Sequence, residues 1–147
     1  MRYSLRQVLA QVQTDLAANL NTYIASTQLE GEGWFKELDF ADDAPRVEND
    51  EFVMGIYLSS PEGMVFQGNA QSQKITVALD CILNREREDS NLSTYYLSAV
   101  LDYLSKRRYG VSSTPTYAET ARVDLDADVN AFSVALEVTV FNMDRRL

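Results

Sequence analysis

At 147 residues, 46% hydrophobic and 24% charged, the chain has the size of one ordinary domain and can bury a core without a disulfide or a metal. Thirteen basic against 22 acidic residues leave a net charge of −9, which argues against an intrinsic nucleic-acid binder, since phosphate affinity needs Lys and Arg. The absence of histidine removes Ser-His-Asp and Cys-His nucleophilic arrangements and the most frequent metal ligand.

Met1 to Leu5 carries no continuous apolar stretch of the kind that opens a secretory signal, and no run approaches the length of a membrane span. A soluble, unsecreted protein is expected. Leu5, Val8, Leu9, Val12, Leu16, Leu20 and Ile24 recur at three- and four-residue steps, marking an amphipathic helix from about Ser4 to Ala25. Ser4 with Gln7 reads as a capping box, and Gly31 and Gly33 end the helix at the latest.

Residues 30 to 51 then change character. Glu30, Glu32, Glu37, Asp39, Asp42, Asp43, Glu48, Asp50 and Glu51 face only Lys36 and Arg46, with Trp34, Phe35, Leu38 and Phe40 embedded among them. A long acidic loop is expected, whose aromatics need either the chain's own core or a partner; folding back on the core is the favoured reading.

Phe52, Met54, Ile56 and Leu58 alternate with Val53, Gly55, Tyr57 and Ser59, so a strand runs to the turn Ser60-Pro61-Glu62-Gly63, with Met64 to Gly68 as its hairpin partner. After a polar loop from Asn69 to Gln73, Ile75, Val77, Leu79, Cys81 and Leu83 define a strong strand, followed by the charged segment Asn84 to Asp89. A second helix is expected from about Leu92 to Tyr109, capped by Ser90 or Asn91 and closed by Gly110. Lys106, Arg107 and Arg108 would fill its last turn, opposing the negative end of the helix dipole. Its apolar stripe, Leu92, Tyr96, Val100, Tyr103 and Leu104 widened by Leu97 and Leu101, implies burial against a sheet, another subunit or both. Past a Ser/Thr/Pro connector from Val111 to Tyr117 comes a hairpin. Ala121, Val123, Leu125 and Ala127 alternate with Arg122, Asp124, Asp126 and Asp128, and Phe132, Val134, Leu136, Val138 and Val140 follow on the return strand. The whole reads as an α+β single domain, 1–147, with a largely antiparallel sheet packed against two helices.

Chemistry-bearing motifs are scarce. Cys81 lies in phase with Ile75, Val77 and Leu79, which marks a buried thiol; a lone cysteine suits a reducing compartment. Asp126, Asp128, Asn130 and Glu137 fall at calcium-loop spacings, but Ala131 replaces the obligatory glycine and strands replace the flanking helices. The row Asp124, Asp126, Asp128 is therefore read as a solvated strand face or as a surface that repels DNA. No phosphate-cradling loop, nucleophile elbow or CxxC occurs, and nothing selects a pair of carboxylates for acid-base work. No cofactor, metal site or catalytic residue is expected.

The order of elements resembles the tail terminator and tail completion (head-tail joining) proteins of long-tailed bacteriophages. The likeness is carried by the leading helix, the Phe52 to Leu83 strands, the Leu92 to Tyr109 helix, and the Val123 to Phe141 hairpin ending Val138-Thr139-Val140-Phe141. The acidic stretch 30–51 has no counterpart in that pattern. The resemblance implies a non-enzymatic virion subunit, assembled in the host cytoplasm, that forms a usually hexameric ring between the tail tube protein and the head connector. It would have no membrane contact, and DNA would pass without specific binding. On that reading Trp34, Phe35, Leu97 and Leu101 are candidate subunit or tube contacts, and Asp124, Asp126 and Asp128 a channel-facing row. The alternative is a small acidic protein-binding module, such as an assembly chaperone or a DNA-mimic inhibitor that offers its carboxylates to a basic partner.

Overall fold

A computed structural model describes residues 5–46, 50–59, 65–66, 72–84, 92–109, 117–125 and 130–141. Helix α1 spans Leu5–Ser26. Its four-residue stripe of Val8, Val12, Leu16, Leu20 and Ile24 is completely buried, each side chain contributing about 1.5–3 kcal/mol of burial. The helix ends where hydroxyls take up its last carbonyls: Ser26 Oγ donates to Tyr23 O at 2.6 Å and Thr27 Oγ1 to Ile24 O at 2.7 Å. Termination thus comes before either glycine. The proposed Ser4 cap lies outside the described residues.

The strands are β1 (Asp39–Ala41), β2 (Val53–Leu58), β3 (Val65–Phe66), β4 (Ser72–Asn84), β5 (Tyr117–Leu125) and β6 (Asn130–Phe141). They form one sheet ordered β1-β2-β4-β6-β5, with β3 beside β4. Every pairing is antiparallel except the parallel β1–β2 pair. The second helix, α2, spans Leu92–Ser105 and, with α1, covers one face. This is an α+β fold with a mainly antiparallel sheet packed against two helices.

Register explains the two faces. Ile75, Val77, Leu79 and Cys81 of β4 pair with Val138, Leu136, Val134 and Phe132 of β6, and all eight are buried under the helices. Met54 and Ile56 of β2 pair with Cys81 and Leu79 and extend the same layer. On the other face Tyr57, Ala78, Asp80, Ser133, Ala135 and Glu137 are half-buried. Bulges interrupt the ladder at Leu83 and Ala121. The one at Ala121 takes that residue out of the alternation expected for Ala121 to Asp128, so the shared face starts only at Arg122.

Four expectations are corrected. The 30–51 stretch is not simply a loop, because it contributes β1 as an edge strand. The hairpin expected between β2 and β3 is replaced by two strands lying one after the other along a single edge of β4. Strand β2 ends opposite Val77, and β3 continues opposite Lys74 and Gln73. The polar loop also stops short, since Ser72 and Gln73 already belong to β4. The Ser60 to Gly63 turn, the Arg85 to Asp89 segment, the Ser90 and Asn91 caps and Gly110 lie outside the described residues. Finally, α2 stops at Ser105, so Lys106, Arg107 and Arg108 follow the helix rather than fill its last turn.

What pins the acidic stretch is a set of side chains reaching from the helices. Gln28 Oε1 accepts the Phe35 N–H at 2.9 Å. Tyr96 OH accepts the Lys36 N–H at 2.7 Å and donates to the Lys36 carbonyl at 2.6 Å. The Asn21 amide pairs with both backbone groups of Leu38, at 2.8 and 3.0 Å. Side chains thus imitate the ladder of a neighbouring strand before β1 joins a real one. Tyr96→Phe removes the partner of both Lys36 groups, and we expect a loss of about 2 kcal/mol in urea unfolding with an unchanged denaturant slope.

Candidate functional site: an acidic-rimmed aromatic groove

Leu29, Glu30, Gly31 and Glu32 make a tight turn beyond α1, closed by the Glu32 N–H on Leu29 O at 3.0 Å. Gly31 supplies the φ of 86° that its third position needs, a conformation costly for any side chain. The turn brings Glu32 back over its own start. Glu32 Oε1 accepts the Leu29 N–H at 2.7 Å and the Trp34 indole N–H at 3.3 Å. Leu29 is left 72% exposed, the one large hydrophobic so placed among the described residues.

Between this turn and α2 lies a groove of about 370 Å³, with Leu29, Glu32 and Trp34 on one wall and Tyr95, Ala99 and Asp102 on the other. Trp34 stands 5.3 Å from the Tyr95 ring and 5.4 Å from the Tyr96 ring, edge-on to the latter. Phe35 stacks on Tyr96 at 6.2 Å. Asp102 accepts a hydrogen bond from Tyr23 OH and pairs with Lys106 at 3.4 Å. The floor is aromatic and the rim acidic.

A second cleft, of about 600 Å³, opens at the other end of the helix pair beside Asp15. This carboxylate is a hub. Tyr103 OH donates to it at 3.0 Å, Tyr109 OH at 2.9 Å, and Arg107 through Nε at 3.1 Å and Nη2 at 2.5 Å. Arg107 therefore crosses to α1 instead of capping the helix it follows. Burial, then the Asp15 carboxylate, pushes the Tyr103 hydroxyl from 10.0 up to about 12, and burial with Asp80 does the same to Tyr57 on the open face. A raised folded-state pKa stabilises below the unfolded value and loses that stability as pH climbs through the folded one. We expect unfolding free energy to hold up to about pH 10 and to fall from there towards pH 12. Tyr103→Phe should flatten that fall in pH-dependent urea titrations.

Of the sequence candidates, Trp34 and Phe35 pack partly onto the core, and Trp34 also lines the groove. Leu97 is buried, 8% exposed, and Leu101 packs half-buried against the same core. Asp124 lies opposite Ser133 in the β5–β6 ladder; Asp126 and Asp128 lie outside the described residues. Next along that row Asp80 accepts hydrogen bonds from Ser133 Oγ at 2.7 Å and from Tyr57 OH, making a polar network on the open face. Cys81 is buried, and burial pushes its thiol pKa up, away from a reactive thiolate. Sequence reading missed Leu29, Tyr95 and the Asp15 hub. The signal for Asp15 was present: with Arg6, it is one of only two charged residues in α1, on the flank of the buried stripe.

No family model matches this sequence, and no curated protein matches it significantly.

Proposed function

We propose that the chain is a structural subunit of a ring that terminates a bacteriophage tail tube and joins it to the head connector. The observation that carries this reading is the two-sided sheet. Both helices lie on one face, while the described residues of the other form a half-exposed polar surface centred on Asp80, Ser133 and Tyr57. A ring subunit needs such a surface to turn towards a neighbour or a lumen. Charge supports it too, since six copies at −9 sum to roughly −54, a wall that phosphate slides past without adhering.

The test is mass in solution combined with negative-stain imaging, alone and with purified tail tubes. A six-fold ring, or a monomer that assembles on tube ends, is the expected result. A monomer that ignores tubes overturns the reading, and salt-sensitive capture of a basic protein by that monomer favours the acidic binding module instead. Replacing Asp124, Asp126 and Asp128 by Asn should leave folding intact and alter assembly or DNA passage.

A further inference from the structure

We infer that the groove between the Leu29 turn and α2 is a docking site for a partner segment that presents an aliphatic anchor flanked by lysine or arginine. The apolar half of the match is set by Leu29, Trp34 and Tyr95, which leave oily surface in water beside a recess deep enough for an anchoring side chain. The hydrogen-bonded turn fixes Leu29 in place, so little ordering is needed on binding.

Charge selects the other half. Of the exposed acids that follow Leu29, Glu32 lines the groove and Glu30 stands beside it in the same turn. On the facing wall exposed Asp102 is shared with Lys106, which spans it from the same helix end. Such a rim favours cations next to the apolar anchor, and the Trp34 and Tyr95 faces can also stack a guanidinium. The inference stands apart from the ring reading. A chain that proves monomeric and indifferent to tail tubes, yet passes the test below, removes the ring and keeps the groove.

Trp34 is the single tryptophan, so its emission reports on the groove itself. The full chain is titrated with a short tryptophan-free peptide that carries a leucine pair flanked by lysines. A second peptide has serines for the leucines, and a third has glutamates for the lysines. Expected are a saturable blue shift of Trp34 emission with the first peptide that weakens with salt, and binding about tenfold weaker with the serine peptide or in Leu29→Ser. No shift is expected with the glutamate peptide. Leu29 is exposed, so Leu29→Ser should fold as the wild type does, which circular dichroism checks. Equal binding by Leu29→Ser, or by the serine peptide, overturns the inference by showing that net charge alone holds the peptide. It is equally overturned by an oligomer that Leu29→Ser dissociates and that excludes the first peptide, because the groove then belongs to a second copy.

Discussion

Replacing Asp15 by alanine should lower the unfolding free energy by about 3 kcal/mol and the melting temperature by roughly 6–12 °C. The effect is large because one carboxylate serves several donors. Tyr103 and Tyr109 are 6% and 4% exposed, so their hydroxyls have little water to turn to when the acceptor goes. The Asp15 side chain is itself only 13% exposed, whereas the Arg107 side chain keeps 40% of its surface. Truncating the arginine should therefore be mild, about 1 kcal/mol for Arg107→Gln, because its contact with Asp15 is half open to solvent. Urea titrations of the two variants test the asymmetry. Equal losses would show an ordinary surface ion pair, and a loss confined to Asp15→Ala would establish the buried hydroxyls as the reason.

Gly55→Ala is expected to cost about 2–3 kcal/mol, although it adds a single carbon. A Cβ at this point of β2 falls well inside contact distance of the Asp43 carbonyl oxygen, with Pro45 Cδ at 3.0 Å. The obstacle is backbone, which cannot rotate aside as a side chain could. Residues 42–46 would have to lift, pulling on β1, whose first residue hydrogen-bonds through its N–H to Phe52 O at 2.8 Å. Hydrogen exchange should show a larger loss of protection at residues 39–41 than at Leu79 and Ile82 in the centre of the sheet. Unchanged exchange at both places would mean that the 42–46 segment does not bear on Gly55.

The parts of the fold that sequence reading reached are those in which period and burial agree over many residues. The α1 stripe ran through five fully buried side chains, and β6 alternated for seven residues from Phe132 to Val138 as the register requires. Strand β1 was invisible for a physical reason. Three residues in an acidic context carry no period, and the segment that leads into them is held by Asn21 and Tyr96, 17 and 60 positions away from the backbone they bind. The β2–β3 hairpin was misread because the Pro-Gly turn signal implies a reversed partner strand, whereas β2 and β3 run in the same direction, both antiparallel to β4. Strand β4, 13 residues long, had room for both β2 and β3 on one edge. The basic run after α2 was explained locally by a dipole, while Arg107 answers to a carboxylate 92 positions earlier. At the groove, Trp34 could be singled out as an aromatic in an acidic stretch, but Leu29 gained its meaning only from the Gly31 turn.

The single cysteine gives the chain a built-in clock. Cys81 sits towards the end of β4, paired with Met54 on one side and Phe132 on the other, and is 1% exposed. An alkylating reagent can reach the sulfur only when the helices part from the sheet, so the labelling rate counts openings of the core rather than motions of the sheet's edges. Each molecule can be labelled once, and a mass spectrum reads directly as the fraction that has opened. Under these conditions Asp15→Ala should label faster in proportion to its lost stability, while an edge disturbance such as Gly55→Ala should accelerate labelling only as far as it reaches β4.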